Sequence, residues 1–336
     1  MSCELVHVTR GPLVESIHRG DIAVVNSKGK VVAYAGDPFK ITYIRSSAKP
    51  IQAINVFLSG AYEKFNFHDA EISIMCASHY GEEFHIKTVE GILSKIGINI
   101  DRLLCGSTYS INKNIAITQA KNNVKLTPLH SDCSGKHVGI IASCLAKGFK
   151  IEEYNMPYHP VQRDILDVVS KVCEIEKNKI IIGVDGCSVP VFGMPIYNLS
   201  IAFAKIANPN NLDNDYKFAA DKIFKSMNNY PEMVAGTNGF CTELIRCTKG
   251  KIIGKLGAES VYAVGIKGAD IGIAVKIEDG NYSRALYPVV VEVLEKLNML
   301  EDDEKKALNK FKVIDNKNNV GQVVGQIKPV FELKYL

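Results

Sequence analysis

The stretch DIAVVNSKGKVVAYAG, residues 21–36, decides the fold class. Two runs rich in β-branched residues flank Ser27-Lys28-Gly29, and such runs around a glycine-assisted turn read as a β-hairpin. From about Lys49 to Thr248 the pattern changes. Apolar residues recur at three- and four-residue spacing, clearest in GKHVGIIASCLAKGF (135–149) and PVQRDILDVVSKVCEI (160–175), which predicts helices. One β-like interruption, KIIIGVD (179–185), breaks that run. Strand patterns return at KIIGKLG (251–257), SVYAVGIKG (260–268) and DIGIAVKIEDG (270–280), with glycines and Asp270 marking the turns. Strands at both ends of the chain around a helical middle predict an α+β fold: an antiparallel sheet built from both termini, flanked by helices, with a helical lobe inserted. The sheet lobe is expected over about 1–45 and 249–336 and the helical lobe over about 46–248, forming one domain with a cleft between lobe and sheet.

Composition narrows the function. With 336 residues, 46% of them hydrophobic, the chain buries a substantial core. The net charge of +4 arises from 40 basic and 36 acidic residues spread along the sequence, without the basic block of a phosphate-backbone binder, so no nucleic-acid partner is expected. The opening MSCELVHVTRGPLVES has an early Glu4 and no sustained apolar core, unlike a secretory signal. No apolar run approaches the ~18 residues that suggest a membrane span. A cytoplasmic location without membrane association is expected. Nine cysteines, an odd number without a Cys-x-x-Cys pair, fit a reducing compartment, where most would be small core residues.

Ser-x-x-Lys occurs three times, at Ser27–Lys30, Ser46–Lys49 and Ser110–Lys113. The first falls in the hairpin turn. The second, in RSSAKPIQA (45–53), precedes a run with helical spacing, and Pro50 is tolerated only in a first turn, so Ser46 sits at a helix start. Three residues of helix bring Ser46 and Lys49 to one face, where the amine could take the hydroxyl proton. A lysine acts as a base only when neutral, so Lys49 must fall from about 10.4 toward 7 to 8, through burial and positive neighbours such as Arg45. The competing reading is an N-cap serine followed by a solvated lysine.

Four further segments, CASHYGEE (76–83), HSDCSGKH (130–137), VDGCSVP (184–190) and PEMVAGTNGFCTEL (231–244), together with RSSAKP, resemble the asparaginase II family, the rhizobial-type L-asparaginases. The resemblance implies a fold like the serine β-lactamases and glutaminases, hydrolysis of L-asparagine to L-aspartate and ammonia, and a homodimer. It implies two serine–lysine pairs: Ser46 with Lys49, and Ser78 with a lysine of the late strands. We assign that lysine to Lys255, because Lys-Leu-Gly resembles the Lys-Thr-Gly strand motif of β-lactamase-like hydrolases; Lys267 and Lys276 are the neighbouring alternatives. The leading mechanism is an acyl-enzyme on Ser46, with Ser78 and Lys255 moving protons or stabilising the oxyanion.

The resemblance also implies zinc held by Cys133, Lys136 and Cys187. Spacing alone matches no standard zinc signature and favours two buried thiols. Asp185 could bind the substrate ammonium or orient zinc-bound water, Arg45 could read the amino-acid end of the substrate, and His137 could donate to it. Departures from the family pattern are Asp132 where asparagine is usual, Ser188 where glycine is usual, and the CGSTYS stretch at 105–110. Rival readings are a β-lactamase or penicillin-binding-like serine hydrolase and a non-catalytic zinc or amino-acid binding protein.

Overall fold

The computed structural model describes residues 1–336. Its strands are β1 (Cys3–Arg10), β2 (Leu13–Val25), β3 (Val31–Ala35), β4 (Ile41–Tyr43), β5 (Ile181–Val184), β6 (Pro190–Pro195), β7 (Ile252–Gly257), β8 (Val261–Ile266), β9 (Ile271–Ile277), β10 (Ile314–Lys317), β11 (Val323–Pro329) and β12 (Lys334–Tyr335). Nine of them form one antiparallel sheet in the order β10-β11-β1-β2-β9-β8-β7, with β3 beside β2 and β12 beside β3. All nine come from the two ends of the chain, as the α+β reading expects. The predicted hairpin is β2–β3, closed by Asn26, whose side chain accepts from the backbone of Lys28 and Lys30. The remaining strands form a small separate sheet in the order β4-β6-β5.

β2 joins the two termini. Its outer half pairs with β1, and from Gly20 onward it pairs with β9, Gly20 lying opposite Ile277. A side chain at Gly20 would strike the Lys276 carbonyl and Leu5. The inner half of β2 and all of β8 are buried, the signature of strands covered on both faces. One cover is the helix Ile196–Ala207. Gly265 of β8 stands directly opposite Gly272 of β9, and a Cβ at either would run into the helix backbone at Phe203 or Ser200. The paired glycines let the helix settle onto the sheet, where the Ser200 hydroxyl donates to Gly272 O at 2.8 Å. Alternation along β8 sends Tyr262 to the opposite face. There Phe240, opening the helix Phe240–Cys247, lies 5.2 Å from the Tyr262 ring and stacks at 4.3 Å on Tyr287.

The sequence placed Ile196–Ala207 within the helical lobe at 46–248. In space it packs on the sheet, against β8 and β9. The cause is packing choice: helical periodicity marks a buried stripe without naming the surface that buries it.

Candidate active site

β4 ends at Tyr43, and the chain turns sharply at Arg45, whose φ of +45° is left-handed and uncommon for a residue with a side chain. A short 3-10 turn, Arg45–Ala48, then leads into the helix Lys49–Leu58, with Pro50 in its first turn as predicted. The end of β7 docks on this turn. At Gly257 a Cβ would lie 2.9 Å from Ile44 O and 3.1 Å from Ser47 N, so the glycine of Lys-Leu-Gly is demanded by contact. Lys255, two residues earlier, lies on the same strand face.

The two lysines converge on Ser78. Lys255 Nζ donates to Ser78 Oγ at 2.8 Å and to Leu256 O at 2.7 Å. Lys49 Nζ reaches the same Ser78 Oγ at 3.1 Å, together with Ala77 O at 2.6 Å and the backbone and side-chain oxygens of Asp132 at 3.2 and 3.4 Å. Ser78 itself is pinned by its N–H, which donates to Val234 O at 2.9 Å. Burial, reinforced by the Lys49 charge, draws Lys255 down to about 8, which leaves a useful neutral fraction near physiological pH.

Two expectations for Lys49 need correction. Its amine bonds Ser78 and Asp132, and Ser46 is not among its hydrogen-bond partners. Its pKa is raised: burial alone would lower it, but the neighbouring Cys133 sulfur and Asp132 carboxylate favour the charged amine more strongly. Arg45 does not act on it, being paired with Asp185 at 2.8 Å. Ser46 is half-buried and lines the cleft beside Ser78. The hydrogen bonds of its 3-10 turn begin at Ser47 N, donating to Ile44 O, which leaves Ser46 N–H outside the helical ladder.

A second cluster adjoins the first through Asp132 and Cys133. The helix Ser134–Lys147 presses so closely on the preceding Asp69–Met75 helix that a Cβ at Gly135 would overlap the Ile74 carbonyl. This contact fixes Cys133 and Lys136 on either side of the glycine. The β5–β6 turn supplies Asp185 and Cys187, with Ser188 left-handed at φ +74° where the family usually has glycine. Lys136 Nζ is 3.0 Å from Cys187 Sγ and 3.8 Å from Asp185 Oδ2. The ligand atoms of Cys133, Asp185 and Cys187 all lie within 4.8 Å of one another. A hydrogen bond from Cys133 and the Lys136 charge push the Cys187 thiol down against its burial. Burial alone would lower Lys136, but the sulfurs of Cys133 and Cys187 and the Asp185 carboxylate hold it charged.

This donor set fits zinc. Zinc takes thiolate ligands, with tetrahedral ligand atoms on the order of 3.5 Å apart, inside the 4.8 Å within which the Cys133, Asp185 and Cys187 donors lie; Lys136 would join them only by giving up its proton. His137 does not face the cleft as expected. It is fully buried, its Nδ1 sharing a 2.6 Å hydrogen bond with the Tyr154 hydroxyl. The helix rotation that turns Lys136 into the cluster turns the adjacent residue away from substrate space.

The cleft over both clusters has a volume of about 510 Å³. Sequence reasoning missed several of its features. Asp132, noted there only as a departure, is an acceptor for Lys49. His79 ties the two motifs together: Gly81 N–H donates to its Nδ1, so its Nε2–H donates to Ser134 Oγ at 2.8 Å. Tyr80 lies flat on Gly236 and Gly239, where a Cβ would come within 2.5 and 2.7 Å of its ring and hydroxyl. The glycines of AGTNG were the available signal for that close approach.

The model of the L-asparaginase II family matches residues 6–329. The chain belongs to this family. Membership makes the protein a hydrolase. Among solved structures the chain is similar to a β-lactamase from Mycobacterium bovis, at 13% identity and a TM-score of 0.42, covering 82% of this chain and 94% of that one. It is also similar to a candidate β-lactamase from Bacteroides dorei, at 11% identity and a TM-score of 0.42, covering 82% and 93%. No curated protein matches the chain. No helix is long and apolar enough to cross a membrane.

Proposed function

We propose that this L-asparaginase II family member hydrolyses L-asparagine to L-aspartate and ammonia through a serine acyl-enzyme. The observation that carries the reading is the Ser78 hydroxyl between two buried amines, one of them Lys255 with a pKa near 8, below a cleft that Ser46 also lines.

Ser46 is the attacking hydroxyl. It opens to the cleft, whereas Ser78 is 5% exposed and already engaged by both lysines. Substrate closing over Ser46 draws the Lys49 amine toward it; catalytic hydrogen bonds commonly tighten only in the loaded enzyme. Lys49 takes the Ser46 proton while passing its own through Ser78 to neutral Lys255. The charge on Lys255 then returns by the same path to the departing nitrogen. Ser46 N–H, free of the helical ladder, and Ala258 N–H, just beyond Lys-Leu-Gly on the cleft wall, are the donors for the tetrahedral oxyanion. Water cleaves the ester, with Lys255 again accepting a proton. Arg45 holds the substrate α-carboxylate and Asp185 its ammonium.

Zinc, held by Cys133, Cys187 and Lys136, would supply a fixed positive charge that organises the Asp185 end of the cleft. Elemental analysis of the purified protein tests this, with one zinc per chain expected and none after Cys187→Ala. The homodimer is supported by the outer face of the small sheet, which leaves Ile41, Tyr43 and Ile181 exposed for a second copy to cover.

The activity test is ammonia release from asparagine. Turnover by the wild type and its loss in Ser46→Ala are expected. Faster turnover of a chromogenic cephalosporin than of asparagine would favour a β-lactamase instead, and a folded, zinc-loaded protein without hydrolysis would favour a binding protein.

A further inference from the structure

One wall of the cleft has no task in asparagine hydrolysis. The contacts described above run in a line: Arg45 to Asp185, the Cys187 and Cys133 sulfurs, Asp132, Lys49, Ser78. Beyond Ser78 the lining becomes aromatic. Tyr80 lies on Gly236 and Gly239, Tyr282 and Tyr287 follow with ring centroids 5.7 Å apart, and Tyr287 is backed by Phe240 at 4.3 Å. All three tyrosines line the cleft. Tyr282 is 44% exposed. Tyr109 and Ile111 bring further exposed apolar surface to the same mouth.

The departing group of asparagine is ammonia, which needs no apolar surface. A volume of about 510 Å³ falls in the range that encloses a drug-sized ligand, far more than asparagine fills. Exposed apolar side chains gathered at a concave site mark a binding groove, and tyrosine rings lining it are suited to receive another ring.

We propose that the cleft also hydrolyses β-aspartyl arylamides, asparagine-type amides whose nitrogen carries an aromatic group, with the aryl ring seated against Tyr80, Tyr282 and Tyr287. This rests on the amidohydrolase reading above and extends its substrate class. The aspartyl end occupies Arg45 and Asp185, as for asparagine, and the aryl group takes the opposite end. The serine oxygen forms an ester to the β-carbonyl carbon as the carbon–nitrogen bond breaks, and the serine proton leaves on the arylamine nitrogen. Water then cleaves the ester, returning the serine hydroxyl and releasing aspartate. No oxidation or reduction is involved.

The test measures p-nitroaniline release from L-aspartic acid β-p-nitroanilide beside ammonia release from asparagine, for the full-length wild type, Tyr282→Ala and Tyr282→Phe. The wild type is expected to release p-nitroaniline, and removing one exposed ring should cut kcat/KM for the anilide about tenfold while asparagine turnover stays within about twofold. Tyr282→Phe, which keeps the ring, should retain anilide turnover. An anilide left untouched by enzyme that releases ammonia from asparagine overturns this inference and leaves the asparaginase reading standing. Equal losses for both substrates in Tyr282→Ala overturn the assigned subsite. If folded wild type turns over neither substrate, the amidohydrolase reading falls, and this proposal with it.

Discussion

Lys255 sits fully buried on β7 with another lysine sharing its serine, and both circumstances favour its neutral form. The sign of the pH effect follows. Below its pKa of about 8 the amine is charged and accepts no proton; above it the amine is free. Asparagine kcat/KM should therefore climb with pH through a midpoint near 8 and level off, a profile read directly from initial rates. Lys255→Arg, with a side chain charged at every accessible pH, should abolish the rise and lower kcat by about 10²-fold or more, the span of lost general-base catalysis. A wild-type profile flat from pH 6 to 9 would remove Lys255 from proton transfer. At this scale the sequence was informative in one half. Lys-Leu-Gly led to Lys255 and the CASHYGEE motif to Ser78. The partner of Lys49 was hidden, because helical spacing brings Ser46 close whereas Ser78 and Asp132 arrive from 29 and 83 residues away. The Asp132 carboxylate and the Cys133 sulfur also reverse the pKa shift that burial alone would give.

Two glycines of contrasting surroundings test how the elements are held. Gly272 faces the helix Ile196–Ala207 with no room for a methyl group, and Gly91 lies exposed in the helix Glu83–Ile96 with open space where a Cβ would sit. Gly272→Ala forces the helix off the sheet and should cost about 1–3 kcal/mol, the usual price of overpacking. Gly91→Ala should stabilise by about 0.5–1 kcal/mol through helix propensity and the lost freedom of the unfolded chain. Urea midpoints of the two variants should thus move in opposite directions; a common direction would contradict the packing described. Strand and helix identities were legible because short β-branched runs bounded by turn residues differ sharply from a long period-3.6 pattern, as in β8 and the Pro160–Val172 helix. Which helix covers the sheet was not. The cue would have been the glycine pair at 265 and 272, and a glycine in a strand equally suits a bulge or a turn.

Taken as a whole, the sheet and the helices share one continuous core, and the site draws on both: Lys255 and Gly257 come from β7, and Ser46, Lys49, Ser78 and the Cys133 segment from the helical side. The buried amine of Lys255 on β7 takes its side-chain partner, Ser78, from the helical side, and an unpartnered buried amine is costly. Calorimetry of the purified protein should accordingly give one unfolding transition; two resolved transitions would mean that the lobes are separate units. The terminal sheet was readable because both ends of the chain carry strand patterns, but its strand order was not, since nothing local makes β2 the strand that joins β1 to β9. The cleft is where these separate contributions meet, and its chemistry is open to a decisive trial. Wild-type enzyme mixed with asparagine, quenched in acid within the first turnover and digested, should carry one aspartyl group on the peptide containing Ser46. The same label on the Ser78 peptide, or turnover without any labelled serine, would contradict the mechanism.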